Sequence, residues 1–125
     1  MSGTFRALLA PGILGCLAAC SSSPPDPALA EVESAVRAQV GTAAVVNVGY
    51  LRDSTGLLID IKETALPDTG EATFARVAHE VATVAVRRFA KRATLDIVMV
   101  SSGEVLGRGV FRAVHQRTFT AAELR

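Results

Sequence analysis

Tryptophan is absent, tyrosine occurs once, and both cysteines fall within the first twenty residues. So few aromatic side chains exclude a stacking platform for sugars or bases. Charge of either sign is also missing in surplus, with thirteen basic against twelve acidic residues and a formal net charge of +1. That balance excludes nucleic-acid binding by general electrostatics. Beyond Cys20 no cysteine remains, so the rest of the chain has neither a disulfide framework nor a thiolate metal site. Long apolar runs are lacking too: the one near the N-terminus is far short of the roughly 20 residues that span a bilayer.

What is present at the N-terminus has three parts. Arg6 is the only charge before Asp26, an apolar stretch runs from Ala7 to Ala19 with Pro11, Gly12 and Gly15 inside it, and small residues precede Cys20. This is the pattern of a secretory signal. Its last four residues, Leu17-Ala18-Ala19-Cys20, open onto Ser21-Ser22-Ser23-Pro24-Pro25. They resemble the lipobox of bacterial lipoproteins at all four positions. The resemblance covers the first twenty residues and implies cleavage before Cys20, a diacylglycerol thioether on its sulfur, and acylation of the freed amine. At about 0.8 kcal/mol per buried methylene, two or three acyl chains anchor a protein stably. Ile13-Leu14-Gly15-Cys16 is a second lipobox-like stretch, but it leaves a very short apolar region. Ser21 stands where aspartate signals retention in the inner membrane. The resemblance therefore points to the periplasmic face of the outer membrane, if the host has two membranes.

The expected organisation is a signal peptide over residues 1–19, a lipidated Cys20 with a Ser/Pro tether to residue 27, and a single domain over 28–125. Loss of Arg6 with the signal leaves that domain formally neutral. Serine and proline cannot build a core, and the proline run favours an extended tether.

Asp26-Pro27 has the form of an N-cap followed by proline at the first helical position. Leu29, Val32, Val36 and Val40 then recur at helical spacing, with Gly41 placed to cap the end. A β-branched run over about 43 to 52 and the alternation Leu57, Ile59, Ile61 predict two strands joined by a turn at 53 to 56. Asp68 and Glu71 form a capping-box pattern ahead of a long helix over about 71 to 91. Phe74, Ala78, Val81, Ala85 and Phe89 make its apolar stripe, and Arg76 and Glu80 are spaced for an i,i+4 pair.

A strand with Leu95, Ile97 and Met99 on one face, a turn at Ser101–Glu104, and a strand from Val105 complete a second hairpin. On that last strand Val105, Gly107, Gly109, Phe111 and Ala113 are assigned to the core. Thr120 and Glu123 form a capping box for a terminal helical turn, flanked by Phe119 and Leu124 as a hydrophobic staple. The order αββαββ predicts an α+β two-layer sandwich: a four-stranded antiparallel sheet with two helices on one face.

Motifs for chemistry are thin. His79-Glu80 begins like a zinc-protease helix, but Thr83 stands where the second histidine belongs. Gly103, Gly107 and Gly109 lack the context of a phosphate loop, and Ser101-Ser102-Gly103 is not a nucleophile elbow. Asp60, Asp68 and Asp96 are scattered, and no catalytic residue, metal site or cofactor is assigned. Arg87, Arg88, Lys91 and Arg92 cluster at the end of the long helix. The plainer reading is complementarity to the helix dipole, and the functional one is contact with an anion or lipid headgroup. Arg108 and Arg112 extend that patch if the second sheet face is open.

Two expectations follow. One is a non-enzymatic, lipid-anchored module that meets another envelope protein through an open sheet face or an edge strand. The other is a lipid- or small-ligand-binding domain that uses the cleft between helices and sheet beside the basic cluster.

Overall fold

The computed structural model describes residues 26–51, 55–62 and 64–125, with the side chain of Arg92 outside the description. Cys20, the proposed signal, most of the tether and the first hairpin turn lie outside the described residues.

Helix α1 spans Pro27–Val40, and Asp26 caps it by accepting the Ala28 amide at 2.9 Å. Val32 and Val36 are fully buried, and Gly41 ends the helix with φ of 116°. Strands β1 (Val45–Tyr50) and β2 (Gly56–Lys62) follow, paired antiparallel. A 3-10 turn, Leu66–Asp68, leads to α2 (Glu71–Arg88). After a second 3-10 turn, Arg92–Thr94, come β3 (Ile97–Val105), a third such turn at Gly107–Gly109, β4 (Phe111–Thr120) and the short helix α3 (Ala121–Leu124).

The architecture is α+β, with one four-stranded sheet in the order β1-β2-β3-β4 and helices on one face. The outer pairs are antiparallel, as expected, but the central β2–β3 pair is parallel. The sheet is therefore mixed. Helix α2 is the cause: its 18 residues carry the chain roughly 27 Å back along the sheet, so β3 starts level with the beginning of β2.

Several local expectations are corrected. Asp68 closes a 3-10 turn instead of capping α2, whose N-cap is Gly70 with no side-chain bond. Helix α2 stops at Arg88 because Phe89 turns to an extended conformation, which places its ring in the core. Arg76 and Glu80 do not pair; the described ion pairs are Arg37–Glu33 and Arg112–Glu104. Ser101–Glu104 is not a turn but the continuation of β3, and the chain reverses at 106–110.

A β-bulge between Ser102 and Gly103 shifts the register. It overturns the core assignment on β4. Val105 and Ala113 are exposed and Phe111 is half-buried, while Phe119 is the β4 side chain in the core. Gly103 sits where a Cβ would overlap the Arg112 carbonyl, so the glycine marks a close approach of β4 and not of the helix. The terminal capping box forms as read: Thr120 N–H donates to Glu123 Oε1 at 2.7 Å, and the Glu123 amide donates back to Thr120 Oγ1.

The core lies between the helices and one sheet face. Val46, Leu57, Ile59, Ile61, Val98 and Val100 come up from the strands to meet Val32, Val36, Phe74, Val81 and Ala85. Alternation of side chains then sends Asn47, Leu58, Asp60, Lys62, Ile97 and Met99 to the other face. Among the described residues, no helix is long and apolar enough to cross a membrane.

Candidate functional site: the sheet face without helices

Among the described residues no helix packs on this face, and register places one polar residue from each strand in a straight row across it. Asn47 is opposite Asp60, Asp60 opposite Ser101, and Ser101 opposite Gln116. The Gln116 Nε2 group donates to Ser101 Oγ at 3.3 Å and approaches Met99 Sδ at 2.9 Å. Ser101 is buried by its neighbours although no helix covers it. Asp60 is half-buried, and desolvation pushes its carboxyl above the usual aspartate range, with Lys62 partly opposing that shift.

Lys62 reaches across β3 at the level of Gly103, and its Nζ stands 5.3 Å from the centre of the Phe111 ring on β4. Leu58, Met99 and Ile97 continue the face below the polar row and are half-buried. The result is a shallow surface with hydrogen-bonding groups in the middle and apolar groups around them. Such a surface suits recognition by contact.

From Gly103 onward β3 has no β2 partner, so β3 and β4 continue as a two-stranded arm. Val105, Leu106, Val110 and Val114 are exposed on this arm, and Val110 retains 57% of its accessible surface. Arg108 stands in the turn with φ of 72°. Arg112 is paired with Glu104. Neither arginine joins the other basic cluster, which lies at the far end of the sheet.

That cluster is at the end where the described chain begins. Arg87, Arg88 and Lys91 are exposed, and the backbone of Arg92 opens the 3-10 turn beside them. Lys91 contributes to lowering the titration of Asp26, which places it close to the start of α1. A half-open cavity of about 400 Å³ lies between Val86, Arg87, Leu124 and Arg125. Its apolar floor and arginine rim fit a ligand with an anionic group and a greasy part. Arg125 Nη2 also donates to the Leu95 carbonyl at 3.2 Å.

Each histidine makes a ring contact, His115 half-buried and His79 exposed. His115 stacks on Phe74 with centroids 5.0 Å apart, and its Nε2 is 3.0 Å from the Thr69 carbonyl. His79 presents its ring to Phe119 at 5.7 Å. Among the described residues, no three His, Cys, Asp or Glu side chains gather as a metal site would require.

No protein-family model matches this chain, and neither does any curated protein or solved structure. Function must be read from the surface itself.

The polar row escaped sequence reading because alternation reveals which residues share a face but not which strands are neighbours. Asp60 appears merely scattered until β2 and β3 are known to be parallel. The arm escaped because Ser-Ser-Gly reads as a turn, and only burial of both serines shows the strand running on.

Proposed function

We propose that this protein is a small lipid-anchored envelope domain that does no chemistry and contacts another envelope protein through its helix-free sheet face. The four-stranded face on which no described helix packs, with Asn47, Asp60, Ser101 and Gln116 in register across it, is the observation that carries this reading. Its mixture of a hydrogen-bonding centre and apolar surroundings is the composition of a contact surface. The anchor is the acylated Cys20 inferred from its lipobox, and the periplasmic face of the outer membrane is the location where the host has two membranes.

The end that carries Asp26 also carries Arg87, Arg88 and Lys91, which suits it to face anionic headgroups. A tether of five residues, 21–25, reaches roughly 18 Å at about 3.6 Å per residue, so the domain works close to the bilayer.

Photocrosslinking in cells is the direct test. A crosslinker at Asn47 or Thr118 is expected to capture one partner, and a crosslinker at the exposed helix position Glu31 is expected not to. Asp60→Arg is expected to abolish capture from the face. Equal capture from both surfaces, or none, refutes the contact reading. Intact mass of the membrane-extracted protein tests the anchor separately: an unacylated chain, or one beginning elsewhere, removes it.

A second reading rests on the cavity beside Val86, Arg87, Leu124 and Arg125, which fits an amphiphilic anion. Native mass spectrometry of the delipidated domain distinguishes it, because a retained small ligand lost on Arg87→Ala favours binding over scaffolding.

A further inference from the structure

The arm formed by β3 and β4 has exposed aliphatic side chains, Leu106 and Val110, on either side of Arg108 at its tip. The same end of the molecule has a half-open cavity of about 190 Å³ lined by Val40, Leu66 and Val77 together with Gln39, Thr64 and Glu80. It is a little larger than the roughly 150 Å³ apolar cavities that accept a benzene ring, so one branched aliphatic side chain fits. Glu80 is exposed and takes part in no described ion pair, and Arg108 likewise.

We infer that the arm of one copy docks in the Val40–Leu66–Val77 cavity of a second copy, with Arg108 meeting Glu80 across the contact. The arm's own cavity stays empty of it, since Leu106 and Val110 are exposed in the single chain. Knob and hole match in size, Val40, Leu66 and Val77 offer apolar contact to an aliphatic side chain, and the charges beside them are opposite.

The topology allows both copies to exchange arms at once. Arm and cavity lie at one end of the strands, and Asp26 lies at the other. A mutual exchange of arms about a two-fold axis makes the contact isologous and closed. The inference does not depend on the lipid anchor.

Sedimentation of the full chain in mild detergent tests it. The wild type is expected to show a concentration-dependent dimer. Arg108→Asp and Glu80→Lys each put like charges face to face and are expected to weaken dimerisation by roughly tenfold or more. Aspartate also tolerates the positive φ at position 108. The double variant, Arg108→Asp with Glu80→Lys, is expected to restore the dimer, which general damage to the fold cannot do. Leu106→Glu is expected to leave a folded monomer by circular dichroism.

A chain that stays monomeric at every concentration overturns the inference, and so does a dimer indifferent to both charge reversals. If the monomer instead binds vesicles of anionic phospholipid and loses that binding with Leu106→Glu, the arm's occupant is a membrane and the dimer is excluded.

Discussion

Asp26 Oδ2 accepts the hydroxyl of Tyr50 at 2.7 Å, while Oδ1 of the same carboxylate caps α1 at the Ala28 amide. One side chain thus fixes the start of the domain to the last residue of β1. The Tyr50 hydroxyl, then the Ala28 amide, hold the Asp26 carboxyl below its usual value of 3.8, and the same bond raises the Tyr50 phenol above 10.0.

These shifts set a pH signature. A depressed carboxyl stabilises the fold above its unfolded value, and that contribution is lost as pH falls through its folded value. A raised phenol stabilises below its unfolded value and loses its contribution as pH rises through its folded one. Tyr50→Phe is therefore expected to lower the urea midpoint at neutral pH, with the gap to wild type closing in strong acid and at high alkalinity. A gap constant from acid to alkali would show that the bond carries no linkage. Asp26→Ala, which also removes the cap, is expected to cost more than Asp26→Asn.

Asp60 has the opposite sign. Its carboxyl is raised by burial, so its ionised form opposes folding at neutral pH and its protonated form does not. Asp60→Asn is expected to raise the melting temperature at neutral pH, and the advantage is expected to shrink as pH falls through the raised folded value and then 3.8. Melting curves across that range decide it. A loss of stability on Asp60→Asn would mean that the carboxylate has a partner that favours its charge.

Gly103→Ala tests the close approach at the bulge. The new Cβ would overlap the Arg112 carbonyl, so the strands must part. A loss of about 1–3 kcal/mol is expected by chemical denaturation, the usual cost of overpacking. A neutral result would show that the bulge relaxes freely.

Ser102 Oγ is buried without a described hydrogen-bond partner, beside His115 in the register. Removing an unsatisfied buried hydroxyl relieves a desolvation cost. Ser102→Ala is expected to be neutral or stabilising by about 1 kcal/mol, in contrast to Ser101→Ala, which breaks the bond from Gln116. Equal losses for both would refute the difference in partners.

Much of the fold is legible in local chemistry. Asp26-Pro27 announces α1, Gly41 ends it, and Leu57, Ile59 and Ile61 identify the inner face of β2. Thr120 and Glu123 declare the last turn. These signals operate within a few residues. The parallel central pair is not legible, because strand direction depends on how far α2 carries the chain. The limits of α2 and β3 were hidden for a related reason: Phe89 and Ser101 go where burial sends them, against the preference of their neighbours. The polar row and the arm needed both register and bulge, which are tertiary facts.

The parallel junction also orders events in time. Residues of α1, β1 and β2 precede α2 in the chain, and β1 and β2 pair with each other. The outer edge of β2, a row of backbone N–H and C=O groups beside the apolar face of Leu57, Ile59 and Ile61, pairs with β3 only after the whole length of α2. Until then the half-made protein presents an apolar strand edge open to any other extended chain, and parallel pairing at long range is slow. Nascent protein is thus more exposed to aggregation than the finished sheet, where β2 is an inner strand. A chaperone that shields β2 until β3 arrives would protect the step at which this fold is weakest.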